Sequence, residues 1–301
     1  MSVTAMISNI SRGSLHDGPG VRTVVYFMGC PLRCLWCHNP ETQLPRARTV
    51  YNSNKCIGCG KCIEICPEHH IIENGKMTFV LDSCSACGNC VEHCPSCALT
   101  VIGEKKSVDE VFEEIKKDIH YYITSGGGVT FSGGECLLYP DFVVALAKKC
   151  RAEGIHTTVE SAFCVPWENI ESVLQTIDMF YIDLKIADPQ KHKKYTGKDN
   201  RLILDNLQRI SQTEKTVVLR IPIIPHVNDS DEDISQFGEI ISKFGNAIKT
   251  VELLKYNYLA GSKYDLLGQK YTAFAQESQT DEEMSRYAHA LAKKSGIPVV
   301  F

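Results

Sequence analysis

Hydrophobic and polar positions follow two periods along the chain. Residues 21–28 (VRTVVYFM) form a β-branched and aromatic run ending at a Gly-Cys-Pro turn, which predicts a strand. Val108, Val111, Phe112, Ile115, Ile119 and Tyr122 recur at three- and four-residue intervals, which predicts one amphipathic helix over 108–124, ended by the glycines at 126–128. Residues 129–132 then predict a short strand running into Gly133-Gly134-Glu135. The alternation continues with helix over 141–152, strand over 155–161, helix over 167–177 and strand over 179–186. Helix over 200–212, strand over 216–224, helix over 230–244, strand over 250–256 and a last helix over 280–295 complete it. About six such strand–helix units predict parallel βα packing. The expected fold is α/β, a partial (β/α)6 barrel, with its chemistry at the C-terminal ends of the strands.

Composition narrows the function. The chain has 301 residues, 44% apolar and 23% charged, enough for a large core. A formal net charge of −4 without a long basic run argues against a nucleic-acid partner. The short lysine cluster at 191–194 reads as solvated surface. No stretch approaches the ~20 apolar residues that span a bilayer, so no membrane association is expected. Residues 1–13 lack the zones of a signal peptide, and a cytoplasmic location is expected. In a reducing compartment, fifteen cysteines read as metal ligands before disulfides.

The cysteines are unevenly placed. Three lie at Cys30, Cys34 and Cys37, nine crowd between Cys56 and Cys97, and Cys136, Cys150 and Cys164 are scattered. This predicts a core begun over 1–50, an insertion over 51–102 and the remaining core over 103–301. Within the insertion, Cys56, Cys59, Cys62 and Cys66-Pro67 have C-x2-C-x2-C-x3-C-P spacing, and Cys84, Cys87, Cys90 and Cys94-Pro95 repeat it. That is the bacterial ferredoxin pattern for two [4Fe–4S] clusters, in which the fourth cysteine of each run crosses to the other cluster. One cluster is then expected on Cys56, Cys59, Cys62 and Cys94, the other on Cys84, Cys87, Cys90 and Cys66. A pair of four-cysteine zinc sites would also hold a small insertion together, but the doubled spacing with both prolines is too specific for it.

Cys30, Cys34 and Cys37 have C-x3-C-x2-C spacing, with no fourth cysteine close behind. Three thiolates on a four-iron cluster leave one iron open to substrate. A zinc site completed by His38, or ordinary buried cysteines, would share this spacing.

Together, C-x3-C-x2-C after the first strand, Gly133-Gly134-Glu135 after the next and the two ferredoxin runs between them resemble the radical S-adenosylmethionine superfamily. More narrowly, the chain resembles the activating enzymes of glycyl radical enzymes, in the subgroup with a ferredoxin-like α+β insertion. Asp17-Gly18-Pro19-Gly20-Val21-Arg22, Cys37-His38-Asn39-Pro40-Glu41 and Asp183-Leu184-Lys185 carry this likeness, which covers essentially the whole chain.

The resemblance implies an activity. Reductive cleavage of S-adenosylmethionine gives methionine and a 5′-deoxyadenosyl radical, which takes a hydrogen from a glycine Cα of a partner enzyme. It implies three [4Fe–4S] clusters, the reactive one on Cys30, Cys34 and Cys37. Trp36 and His38 are expected beside S-adenosylmethionine. Gly133 and Gly134 would let backbone groups reach its methionine amine, and Glu135 would accept from that ammonium or brace the turn. Asp183 and Lys185, flanking Leu184, are expected to meet the ammonium or ribose and the carboxylate; a strand-end ion pair without a ligand is the alternative. Arg220 would bind the same carboxylate. Asn257 stands where relatives often carry His, and its amide can still hydrogen-bond the cofactor. Some relatives bind a monovalent cation near the sulfonium, at positions matching Glu160, Ser161, Tyr181 and Asp183. Cys97 is expected to pack against a cluster, Cys150 to sit in the core and Cys136 to pack near the site.

The implied partners are a glycyl radical enzyme, with a hydroxyproline dehydratase preferred from general likeness, and reduced flavodoxin or ferredoxin as donor. An alternative is a radical enzyme acting directly on a small molecule or peptide, with the inserted clusters as relays. A non-catalytic electron-transfer protein would explain eight cysteines but neither Cys30, Cys34 and Cys37 nor Gly133-Gly134-Glu135.

Overall fold

A computed structural model describes residues 3–68, 70–73, 76–79 and 84–301. Strand β1 (Thr4–Ser14) turns back antiparallel into β2 (Arg22–Phe27). The cysteine block follows as β3 (Arg48–Tyr51), α1 (Lys61–Ile65), β4 (His70–Glu73), β5 (Lys76–Phe79), α2 (Asn89–Glu92) and β6 (Leu99–Ile102). Antiparallel pairing of β3 with β6 forms its stem, and β4 pairs with β5. Strand β7 (Glu104–Ser107) returns to the edge of β1. Then come α3 (Val108–Lys116), α4 (Ile119–Ser125), β8 (Gly128–Gly133), α5 (Pro140–Ala152), β9 (His156–Ser161), α6 (Trp167–Val173) and β10 (Met179–Asp183). The chain continues through α7 (Pro189–Thr196), α8 (Arg201–Ile210), β11 (Thr216–Pro222), α9 (Asp231–Ile241), β12 (Ile248–Leu254), α10 (Gly261–Leu266), α11 (Asp281–Ser295) and β13 (Val299–Val300).

Among the described residues, nine strands make one open sheet in the order β13-β12-β11-β10-β9-β8-β2-β1-β7. From β2 through β8 to β13 the pairing is parallel throughout. Each of these strands lies beside the next in sequence, so their C-terminal ends form one rim. Val24, Val25, Phe27, Val129, Phe131, Val159, Phe180, Ile182, Leu219, Ile221 and Val251 have no exposed surface. Burial on both faces explains why these strands read as continuous apolar runs. No helix among the described residues is long and apolar enough to cross a membrane.

The helix expected over 108–124 is two helices. Ser107 opens α3 with a capping box to Glu110. The chain breaks at Asp118, which is buried and accepts from Arg12 Nε at 2.8 Å and Thr23 Oγ1 at 2.7 Å. The Arg12 guanidinium outweighs burial and holds this carboxyl below its ordinary value. Its φ of −108° and ψ of 8° leave the helical region, and α4 restarts beyond it. Helix α7 occupies the cluster expected to be solvated. Its Lys191 binds the buried Asp233 at 2.7 Å, and His192 is fully buried.

Arg22, the last residue of the Asp17-to-Arg22 motif, is also fully buried. It donates to Thr130 Oγ1 at 3.0 Å, Thr158 Oγ1 at 2.9 Å and the Val129 and Pro19 carbonyls, and meets His156 Nδ1 at 3.2 Å. Burial lowers its guanidinium to about 10. This side chain fastens the segment entering β2 to β8 and β9.

Candidate active site

Loop 30–37 leaves the C-terminal end of β2 and is fixed from two sides. Gly29 and Cys30 N–H groups donate to Thr42 and Gln43 carbonyls at 2.7 and 3.2 Å. Arg33 and Leu35 N–H groups donate to Thr196 and Tyr195 carbonyls at the end of α7, at 2.7 and 3.1 Å. The three thiols lie within electrostatic reach of one another, and burial pushes Cys30 and Cys34 up to about 12. The Lys185 ammonium opposes burial at Cys34 and Cys37. Three largely covered thiols beside one cation suit a polynuclear metal group that takes them as thiolates.

These thiols open into a cavity of about 390 Å³ at the C-terminal strand ends. Its lining includes Cys30, Cys34, Cys37, Trp36, His38, Gly133, Gly134, Asp183, Lys185, Arg220 and Asn257. Lys185 Nζ reaches Asp183 Oδ2 at 2.9 Å, with both side chains mostly buried. Trp36 is held edge-on to Phe274 at 6.0 Å. His38 Nε2 meets the Asn257 carbonyl at 3.2 Å, which engages the ring with the opposite wall rather than with the thiols. The Asn257 side chain caps the turn that follows it, accepting from Leu259 N–H at 2.9 Å.

Two expected contacts do not line the cavity. Glu135 is fully buried behind it and accepts from Ser161 Oγ at 2.7 Å and from Leu137 and Ala162 N–H groups at 3.2 Å, so it braces the turn. Leu184 is also fully buried, and its N–H donates to the Arg220 carbonyl at 2.9 Å. Gly133 and Gly134 also serve packing. Their backbone lies against β2, where a Cβ on Gly133 would meet the Phe27 backbone and one on Gly134 the Gly29 carbonyl.

Arg220 is committed within the protein. It binds Glu160, donates to Glu252 Oε2 at 2.6 Å and to the His16 carbonyl at 2.7 Å, and lies 4.0 Å over the Tyr181 ring. Burial would lower its guanidinium, but Glu160, Glu252 and Asp183 hold it above the ordinary range. The expected cation ligands are engaged likewise: Glu160 with Arg220 and Ser132, Ser161 with Glu135, and Tyr181 beneath the guanidinium.

Other lining residues were not singled out from sequence, among them Gln43, Ser132, Lys255 and Tyr256. Asp17 also lines the cavity; its motif was visible, its side-chain position was not. The segment after β12 covers loop 30–37 from outside. Lys263 Nζ donates to Asn39 Oδ1 at 2.6 Å and Glu41 Oε1 at 2.9 Å.

In the cysteine block, Gly60 and Gly88 take left-handed φ of 75° and 85° ahead of α1 and α2, which places Cys62 and Cys90 in the first turns. The neighbours of Cys62 are Cys56, Cys59 and Cys94; those of Cys90 are Cys84, Cys66 and Cys87. The fourth cysteine of each run thus stands with the other run's first three. Burial pushes Cys94 up, but N–H groups of Leu99 and Ala98 together with Ser96 outweigh it and hold the thiol below its ordinary value. Cys97 is exposed on the protein surface, with a φ of 51°. Cys136 and Cys150 are buried as expected.

With this geometry in place, the Radical SAM superfamily model matches residues 85–238, a 4Fe-4S dicluster domain matches 48–95 and a 4Fe-4S single cluster domain matches 16–70. The (2S)-3-sulfopropanediol dehydratase activating enzyme of Klebsiella oxytoca is 43% identical over 90% of this chain and 87% of that protein. The chain belongs to the glycyl-radical-enzyme activating enzymes of the radical S-adenosylmethionine superfamily. Its trans-4-hydroxy-L-proline dehydratase activating relative in Clostridioides difficile is 40% identical over 93% of each chain. A radical SAM methyltransferase structure from Sphaerobacter thermophilus shares the fold, with a TM-score of 0.57 at 12% identity over 98% of this chain and 76% of that one. This activating enzyme is therefore an iron–sulfur and S-adenosylmethionine protein. It cleaves S-adenosylmethionine reductively and uses the 5′-deoxyadenosyl radical to take hydrogen from a glycine of its glycyl radical partner.

Proposed function

We propose that S-adenosylmethionine binds in the 390 Å³ cavity against a [4Fe–4S] cluster held by Cys30, Cys34 and Cys37, with two further clusters in an insertion over 51–102 that divides a core over 1–50 and 103–301. One inserted cluster uses Cys56, Cys59, Cys62 and Cys94, the other Cys84, Cys87, Cys90 and Cys66. The observation that carries this reading is the Asp183–Lys185 ion pair at 2.9 Å, which shares the cavity with the three thiols and with Gly133 and Gly134. An ammonium beside a carboxylate can exchange partners with the amine and carboxylate of an amino-acid ligand. Trp36, His38 and Asn257 supply the remaining walls. Arg220, already neutralised by Glu160 and Glu252, positions the rim and assists the ligand carboxylate only by exchange.

Two of the similar relatives, at 43% and 40% identity, are named as activators of dehydratases. We therefore favour a dehydratase partner, with hydroxyproline dehydratase tested ahead of the sulfopropanediol enzyme, and reduced flavodoxin or ferredoxin in the cytoplasm as donor. The test is anaerobic reconstitution, followed by reduction in the presence of S-adenosylmethionine and each dehydratase in turn. The reading expects about twelve irons per chain, four for each cluster, release of 5′-deoxyadenosine and a glycine-centred doublet on one partner. Iron for a single cluster, or 5′-deoxyadenosine without a doublet on either partner, would overturn the corresponding part.

A further inference from the structure

Strand β3 carries Thr49 and Tyr51 two residues apart, so both side chains leave the same face. Thr49 is 1% exposed, and its Oγ1 lies 3.5 Å from Cys84 Sγ. The Tyr51 hydroxyl faces Cys56, with Cys62 and Cys94 next to it, and its ring lines the hollow that Cys56, Cys59, Cys62 and Cys94 surround. These two cysteine groups are the ones assigned above to different clusters. The pairing of β3 with β6, Thr49 opposite Val101 and Tyr51 opposite Leu99, fixes the strand under both.

We infer that β3 delivers one hydroxyl to each inserted cluster, Thr49 to a sulfur of the Cys84 cluster and Tyr51 to a sulfur of the Cys56 cluster, and that these hydrogen bonds set the two reduction potentials independently. This rests on the reading that both groups hold [4Fe–4S] clusters. A cluster-bound thiolate has no proton, so a hydroxyl in contact with it acts as the donor. Reduction adds negative charge to the sulfurs, which strengthens the bond and raises the potential. The backbone donates as well, from Ala86 N–H to Cys84 Sγ and from Ala98 N–H to Cys94 Sγ, each at 3.3 Å. Those bonds belong to the loops that any such cluster needs. The hydroxyls of Thr49 and Tyr51 come from outside both loops and can be removed without altering a ligand.

The experiment is a redox titration followed by electron paramagnetic resonance on the full-length, reconstituted protein. It compares wild type with Thr49→Val, Tyr51→Phe and Thr49→Ser, and total iron is measured for each. Thr49→Val should lower the potential of the Cys84 cluster alone, and Tyr51→Phe that of the Cys56 cluster alone. Each shift should approach a tenfold fall in the reduced-to-oxidised ratio at fixed solution potential, about 59 mV for a one-electron couple. Thr49→Ser, which keeps the hydroxyl, should restore the wild-type value. Cys84→Ala and Cys56→Ala assign the two signals. Unchanged potentials at full iron content would overturn the inference and leave the cluster assignment standing. Wild-type protein without two inserted-cluster signals would overturn both. A variant that shifts both clusters together, or is not rescued by serine, would show a structural effect and contradict the proposal.

Discussion

The Ser161 hydroxyl donates to Glu135 Oε1 at 2.7 Å, tying the turn after β8 to the end of β9. This bond lies directly behind the glycines that face the cavity. Burial raises the Glu135 carboxyl to about 7, although Ser161, Leu137 and Ala162 all donate to it.

A raised acid gives a definite sign. In the unfolded chain Glu135 ionises near its ordinary value of 4.5, while in the fold it holds its proton to about pH 7. Its contribution to stability is therefore full below about pH 4.5 and is lost as pH rises to about 7. Glu135→Gln should remove that slope from the urea midpoint measured against pH under anaerobic conditions. It should also cost about 1–3 kcal/mol, because an amide NH2 would face one of the N–H donors. A slope identical to wild type would contradict this assignment.

Gly134→Ala should damage the site through packing rather than chemistry. The new Cβ would press on the Gly29 carbonyl and lie 2.9 Å from the Thr42 carbonyl, which are backbone groups that anchor loop 30–37. A loss of about 1–3 kcal/mol is expected, together with less iron retained at that loop. Thermal unfolding and iron content measured side by side check this; full iron with an unchanged midpoint would refute it.

Arg22 should be unusually costly to replace. Arg22→Met leaves the Val129 carbonyl, Thr130 and Thr158 without their buried donor. The expected loss is about 3–5 kcal/mol. Arg22→Lys should not recover it, since one ammonium cannot reach acceptors on both β8 and β9 as the guanidinium fork does. Denaturation midpoints of the two variants decide the matter.

The inserted clusters are expected to act as a relay. Cys56→Ala and Cys84→Ala should each keep iron at Cys30, Cys34 and Cys37, and should still cleave S-adenosylmethionine with a small chemical reductant. Turnover with a flavodoxin-like donor should fall well below wild type. Equal turnover with that donor would count against a relay.

The legible parts of this protein are those whose signal is local. Cysteine spacing at 30–37 and 56–94, and the apolar runs of β2 and β8 to β12, state their structure within a few residues. What was hidden depends on distant partners. Helix α7 buries little apolar surface, mainly His192 and Thr196, so it has no hydrophobic stripe, yet its last carbonyls hold loop 30–37. The break at Asp118 is caused by Arg12 and Thr23, about a hundred residues earlier. Arg220 read as a free cation at a strand end because Glu160 and Glu252 reach it only across neighbouring strands. Lys263 reaches Asn39, which lines the cavity, only because the segment after β12 folds back over Asn39 and Glu41.

The sharpest test asks whether one iron at loop 30–37 is open to the ligand. Reduced protein would be mixed with S-adenosylmethionine carrying ¹⁵N in the methionine amine and ¹⁷O in the carboxylate, and examined by electron–nuclear double resonance. Strong hyperfine coupling of both nuclei to the cluster, lost in Cys37→Ala, is the predicted result. A reduced cluster at this loop that shows coupling to neither nucleus would contradict the account.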